Sequence, residues 1–219
     1  MSRSSAKKPA GKSVHKRSGR KAPEVRKRLL VEAAIACLGK HGMSGFTVAN
    51  ICAEAGISRG LISHHFEGKE ALLVEAYAAM TAHLAPAAGA AAEAEDGPAA
   101  VLLKIVEQSF SESAFKRSTL KAWLALWGET GSNGRLYDLH RARYSDYHRR
   151  LSETIAALAA ERGRKVDQGL LATMLISLID GLWLEWCIDE SRVSATAATA
   201  ACKALLEPHL GRLDSEKPD

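Results

Sequence analysis

The chain has 219 residues, 47% of them apolar and 25% charged, with a net charge of +5. That length suits one large domain or two small ones, and the composition excludes wholly disordered, collagen-like and fibrous classes. The charge is uneven: residues 1–28 hold 11 of the 30 lysines and arginines against one acid, Glu24, whereas residues 29–219 sum to −5.

A local basic arm of this kind points to a polyanion, either nucleic acid or an anionic membrane surface. Residues 1–22 carry almost nothing to bury and are expected to be disordered, serving either to add phosphate affinity or as a solubilising extension. From Pro23 the apolar period begins: Leu30, Ala33, Ala34, Cys37 and Leu38 mark one face of a first helix that ends near Gly42. Thr47 precedes Val48 to Ala55 and Ser58 precedes Arg59 to Phe66, so each hydroxyl is placed to cap a short helix, with Gly56, Ile57 and Ser58 as the joint. Lys69 opens a longer helix through Leu73, Ala76, Tyr77, Met80 and Leu84.

Residues 85–100 are Ala-rich with two prolines and read as a domain joint. Helical patterns follow over roughly 98–113, 118–129, 134–162, 166–190 and 194–210. No strand alternation and no internal repeat occurs. The fold class is therefore all-α, about nine helices, divided into a basic arm (1–22), a helix-turn-helix head (23–84, motif 47–66), a helical body (85–213) and a tail (214–219).

Cys37, Cys52, Cys187 and Cys202 form no CxxC pair and have no metal-ligand spacing, which suits a reducing cytoplasm and predicts neither metal nor cofactor. The apolar run 170–179 is interrupted by Asp180 and Glu185, so no membrane span is expected. The basic N-terminus lacks the apolar core of an export signal.

Residues 47–69 have the anatomy of a DNA-reading helix-turn-helix, with Gly56 suited to a positive-φ turn. On the second short helix Ile62 and Phe66 face inward, leaving Arg59, Gly60, Ser63 and His64 outward. Arg59 is placed to give guanine two hydrogen bonds, worth about 1–3 kcal/mol of discrimination. Gly60 lets backbone approach the bases. Ser58, Ser63, His64 and His65 are candidates for base edges or phosphates, and Thr47 and Lys69 for backbone phosphates. A plain three-helix bundle also carries a Gly turn and exposed Arg or His, and the basic arm upstream weighs against that reading. Ser63 beside His64 or His65 is not a catalytic pair, because adjacent helical positions point apart and no oxyanion-hole motif accompanies them. An enzyme is not expected.

The run Gly56-Ile57-Ser58, then Ile62-Ser63, His65-Phe66 and Lys69, resembles the tetracycline-repressor (TetR) family of bacterial regulators, departing from it at Ser63, where tyrosine is usual. Ser58 to Phe66, together with Trp123-Leu-Ala-Leu-Trp127 and Leu178-Ile-Asp-Gly-Leu-Trp-Leu184, looks like the branch of choline/glycine-betaine repressors. The resemblance spans roughly residues 24–210. It implies a homodimer that binds a palindromic double-stranded DNA operator, with a small-molecule effector, a quaternary amine, in the helical body. The long arm falls outside the branch pattern, as does Glu185, where arginine is common.

All four tryptophans lie in the second half. Trp123 and Trp127 share one helix face, Trp183 and Trp186 another, with Tyr137 and Tyr144 seven apart on the helix between. Converging aromatic faces hold quaternary ammonium ions by cation–π attraction, about 0.5–2 kcal/mol per ring. The same spacing also describes plain core. Asp180 and Glu185 are placed either to balance a cation or to satisfy a helix end and the surface, and His140 reads as a core-edge histidine. Leu171 to Leu182 and the small face Ala195, Ala198 and Cys202 resemble a helical dimer interface. The leading expectation is a cytoplasmic, dimeric, ligand-responsive repressor; the rival is an architectural DNA-binding dimer with no effector.

Overall fold

In the computed structural model, which describes residues 23–82 and 97–214, the chain enters as α1 (Pro23–His41). Leu30, Ala33, Ala34, Cys37 and Leu38 are all buried, so the spacing seen in the sequence is the core face of this helix. Gly42 ends it with a left-handed φ of 64°. Next comes α2 (Val48–Ala55), capped by Thr47, whose Oγ1 accepts from the Asn50 N–H at 3.2 Å. Gly56, again at φ 64°, turns the chain into α3 (Gly60–His65), and α4 (Lys69–Thr81) completes the head. Leu84, expected to extend the last helix, and the arm 1–22 lie outside the described residues.

The second cap differs from expectation. Arg59 occupies the N-cap of α3 with helical backbone angles and no side-chain cap bond. Ser58 contributes its carbonyl, which accepts from the Leu61 N–H at 3.1 Å. Because Arg59 is already helical, the first turn is tight and closed by the backbone itself.

The body comprises α5 (Gly97–Ser109), α6 (Arg117–Thr130), α7 (Gly134–Glu161), α8 (Gln168–Ile188) and α9 (Ala195–Leu210). Asn133, Asp167 and Ser194 cap the last three, each accepting from the backbone N–H three residues on. In all, nine helices and no strand occur among the described residues. Helix α7 packs against α5, α6 and α8, and α9 closes over α8.

Head and body share one hydrophobic core. Helix α1 packs against α2 and α4 and also against α6, where Gly39 sits directly on the Ser118 carbonyl. The second link runs from α4 to α7. The head is thus seated on the body through two helices, which fixes where its outer face points.

Helix α8 is long and apolar enough to cross a membrane by length and composition, despite Asp180 and Glu185. One of its faces, Leu171, Leu175, Ile179 and Trp183, is buried in the body core. Its outer side carries a second stripe: Leu170, Met174, Ser177, Gly181, Leu184 and Ile188 recur at spacings of four and three, and all are exposed. On α9, Ala198 and Cys202, expected on an interface, point into the core, and Ala197, Ala200 and Ala204 are the exposed small residues. The helical period explains the swap, since neighbouring positions lie about 100° apart around the axis.

Candidate DNA-reading face and aromatic site

Ile62 and Phe66 are buried against the head core at 2% and 7% exposure, which rotates Arg59, Gly60, Ser63 and His64 together into solvent. The Arg59 guanidinium has no partner among the described residues, whereas Ser63 Oγ donates to the Gly60 carbonyl at 3.1 Å. A Cβ on Gly60 would meet only open space, so the bare backbone there serves nothing inside the protein. Thr47, Ser58 and Lys69 are exposed on the same segment. His65 is only half-exposed; its Nε2 is buried, so this ring nitrogen faces away from any external partner.

The head is braced from behind. Lys27 of α1 donates to Glu75 of α4 at 2.9 Å with its ammonium 5.8 Å from the Phe66 ring centroid. Lys40 reaches Glu54 of α2 at 2.6 Å. These partly exposed pairs contribute little energy each, about 0–1 kcal/mol, but tie α2 and α4 to α1.

In the body the structure draws Trp123, Trp127, Trp183 and Tyr144 into one neighbourhood. Trp123 lies 5.5 Å from Trp127 and 6.1 Å from Trp183, centroid to centroid. Two residues not expected there join them: Tyr77 from α4, edge-on to Trp123 at 5.8 Å, and His140 from α7, 4.3 Å from Tyr144. The Tyr77 hydroxyl and His140 Nδ1 are 2.5 Å apart. Burial raises the Tyr77 phenol pKa and lowers that of His140, so a protonated phenol and a neutral imidazole share this hydrogen bond.

Asp180 is the acid of this neighbourhood. Burial pushes its pKa up to about 7, and it raises the phenol pKa values of Tyr77, Tyr144 and Tyr147 in turn. The carboxylate has no hydrogen bond or ion pair among the described residues. At Tyr144 burial is the largest cause of the upward shift, and the neighbouring Trp127 acts in the opposite sense.

Tyr137 and Trp186 do not join. Tyr137 is 49% exposed: two turns from Tyr144 place it on the same side of α7 but about 10 Å further along the axis. Trp186, three residues past Trp183, is offset enough to stack on Phe115 at 4.6 Å, beside a separate open groove lined by Ser111, Lys116 and Arg117. Glu185 pairs with Arg192 at 3.5 Å on the surface and is no part of the cluster.

Tyr77 was legible only as a member of an apolar helix stripe; no spacing rule joins position 77 to position 140. Asp180 did carry a signal, as an acid inside the apolar run of α8.

Both the head and the body match known families. Residues 30–76 match the family described as bacterial regulatory proteins, tetR family, and residues 98–211 the family described as BetI-type transcriptional repressor, C-terminal. The chain is 31% identical over 198 residues to the HTH-type transcriptional regulator BetI of Cronobacter sakazakii, covering 89% of this chain and 96% of that one. It is 33% identical over 188 residues to the Yersinia pestis protein of the same name, covering 85% and 93%. Among solved structures, a transcriptional regulator from Pseudomonas aeruginosa PAO1 matches at 39% identity and TM-score 0.76, covering 88% of this chain and 94% of that one. A regulator from Saccharomonospora viridis, solved in complex with choline, shares the fold at 24% identity and TM-score 0.74, covering 85% and 97%. The chain belongs to the TetR family of bacterial transcriptional regulators, with a BetI-type C-terminal domain, and is not an enzyme.

Proposed function

We propose that this regulator is a cytoplasmic, ligand-responsive repressor that binds a palindromic operator as a homodimer and releases it when a small quaternary amine enters the aromatic neighbourhood of the body. Choline/glycine-betaine or related amine metabolism is the process it controls. One observation carries the reading: α4 joins the two sites, with Lys69 at its start beside the DNA-reading face and Tyr77 eight residues on, about 12 Å away, inside the aromatic cluster. A ligand that repositions Tyr77 moves the helix that follows the recognition helix.

In this reading Arg59, Gly60, Ser63 and His64 meet the major groove, with Thr47, Ser58 and Lys69 on the backbone. His65 supports the fold of α3 more than the contact with DNA. Trp123, Trp127, Trp183 and Tyr144 supply the ring faces, and Tyr137 and Trp186 fall outside the effector site. The heptad-like stripe Leu170, Met174, Ser177, Gly181, Leu184 and Ile188 on α8 is the dimer face, with Ala197, Ala200 and Ala204 of α9 beside it. Two-fold pairing sets two recognition helices about 34–36 Å apart, one turn of DNA. The arm 1–22 adds phosphate contacts. The choline bound by the Saccharomonospora viridis protein supports the ligand class.

The test is fluorescence anisotropy with duplex DNA from the regulator's own upstream region, with and without choline. Preference over scrambled duplex, reduced by choline, is the expected result. A hundredfold release requires the ligand to prefer the non-binding state by about 2.7 kcal/mol. No preference for the specific duplex defeats the repressor reading, and preference indifferent to every amine leaves an architectural DNA-binding dimer.

A further inference from the structure

Trp186, left out of the aromatic cluster, forms part of a second cavity. Between the 110–116 turn and the end of α8 lies an open groove of about 750 Å³, within the usual size of a small-molecule site, about 300–1,000 Å³. Its apolar wall is the half-buried pair Phe115 and Trp186, with ring centroids 4.6 Å apart. The wall is held from behind. Phe115 stands edge-on to the buried Phe110 at 5.6 Å, and Trp183, one turn before Trp186, donates its indole N–H to the Ser109 carbonyl at 3.0 Å. Two cations, Lys116 and Arg117, complete the lining at the start of α6. Lys116 forms no ion pair among the described residues. Arg117 has Glu190 at 3.5 Å, but both side chains are solvent-exposed, so the contact is screened and leaves guanidinium N–H groups open to a further acceptor. Glu112 is on the same rim and pairs with neither cation among the described residues.

We propose that this groove is a second small-molecule site, separate from the aromatic cluster, and that it takes a planar aromatic monocarboxylate whose ring lies on Phe115 and Trp186 and whose carboxylate meets Lys116 and Arg117. The two parts of the lining ask for that combination. Partly exposed ring faces gain from being covered by another planar ring. An unpaired ammonium and a weakly engaged guanidinium gain charge-assisted hydrogen bonds from a carboxylate. A cationic ligand would find the same rings with two like charges beside them, so this groove selects the opposite charge to the amine proposed for the inner cluster. The site also borders the head. Lys116 and Arg117 lead directly into Ser118, whose carbonyl lies against Gly39 of α1. A ligand held by these two cations acts on the end of α6 that carries this contact. Its occupancy therefore changes operator affinity by as much as the ligand prefers one seating of the head over another.

The experiment is isothermal titration calorimetry on the full-length protein with three probes of similar shape and different charge: phenylacetate, phenylacetamide and phenethylammonium. Saturable phenylacetate binding with a Kd of about 1 mM or tighter is expected, with the other two at least about tenfold weaker. Lys116→Gln and Trp186→Leu should each weaken phenylacetate by about tenfold, whereas Trp127→Leu, in the inner cluster, should leave it unchanged. Lys116 is exposed, so its variant keeps the test open if Trp186→Leu folds poorly. No saturation by about 10 mM, equal binding of the three probes, or phenylacetate binding untouched by both groove variants overturns the site. In anisotropy with the upstream duplex, saturating phenylacetate should change operator affinity by about fivefold or more, and Lys116→Gln should suppress the change. Binding without any change overturns the link to the head. If the protein shows no preference for that duplex, the repressor reading fails, and calorimetry still decides the groove.

Discussion

The Tyr77 hydroxyl and His140 Nδ1 share a hydrogen bond across 2.5 Å, joining the last helix of the DNA-binding head to the longest helix of the body, 63 positions further along the chain. Tyr77 is fully buried and its ring lies edge-on to Trp123, so this contact sits where the two halves meet the aromatic cluster. Tyr77→Phe removes the hydroxyl and keeps the ring. The expected loss is about 0.5–1.5 kcal/mol in urea denaturation, typical of one part-buried hydrogen bond. In the proposed switch the same variant retains operator affinity without ligand and loses part of the ligand-induced release. Full release with unchanged stability would show that the bond carries neither packing nor signal.

Gly39 has no room for a side chain, because a Cβ there runs into the backbone carbonyl of Ser118 on α6. Gly39→Ala forces α1 and α6 apart in a region where neither backbone yields cheaply. A loss of about 1–3 kcal/mol is expected, seen as a lower denaturation midpoint, with operator affinity reduced because the head is reseated. An unchanged midpoint would mean that this crossing separates freely.

Arg59 and Lys69 are both exposed and without partners among the described residues, yet they should behave differently. Arg59→Ala is expected to erase preference at one base pair in each half-site, a cost of about 1–3 kcal/mol on the best sequence and little on others. Lys69→Ala should weaken all sequences alike and flatten the salt dependence by about 0.9 log units for each phosphate it no longer neutralises. Selection of bound sequences combined with salt titrations separates the two. Uniform weakening by Arg59→Ala would reassign Arg59 to the backbone.

Asp180 also predicts how stability depends on pH. Its folded-state pKa, raised to about 7 by burial, exceeds that of a carboxylate in the unfolded chain, about 3.9, so the folded state holds the proton more tightly. Stability from this group is complete below the unfolded value and declines as pH rises toward 7. Asp180→Asn removes that decline and should make the ligand-free protein more stable than wild type at pH 8, by up to about 4 kcal/mol, with the gain fading toward pH 4. Denaturation midpoints at pH 4.5 and pH 8 measure it. Equal midpoints for the two proteins at both pH values would place Asp180 in contact with water.

The helical body plan was legible in the order of residues. Local rules sufficed: the apolar period over Leu30 to Leu38, the Thr47 cap, the positive-φ Gly56 and the inward pair Ile62 and Phe66 each depend on neighbours within a turn or two. For the same reason the outward set Arg59, Gly60, Ser63 and His64 could be named before any coordinates. The aromatic site was only half legible. Trp123 and Trp127 share a face by spacing alone, but Tyr137 looked equivalent to Tyr144, and Trp186 to Trp183, until neighbouring helices were in place. Tyr77 and His140, and the choice of which side of α8 and α9 is buried, were decided by tertiary packing. Periodicity specifies an angle around one helix axis; how far along that axis another helix crosses depends on the whole core closing at once.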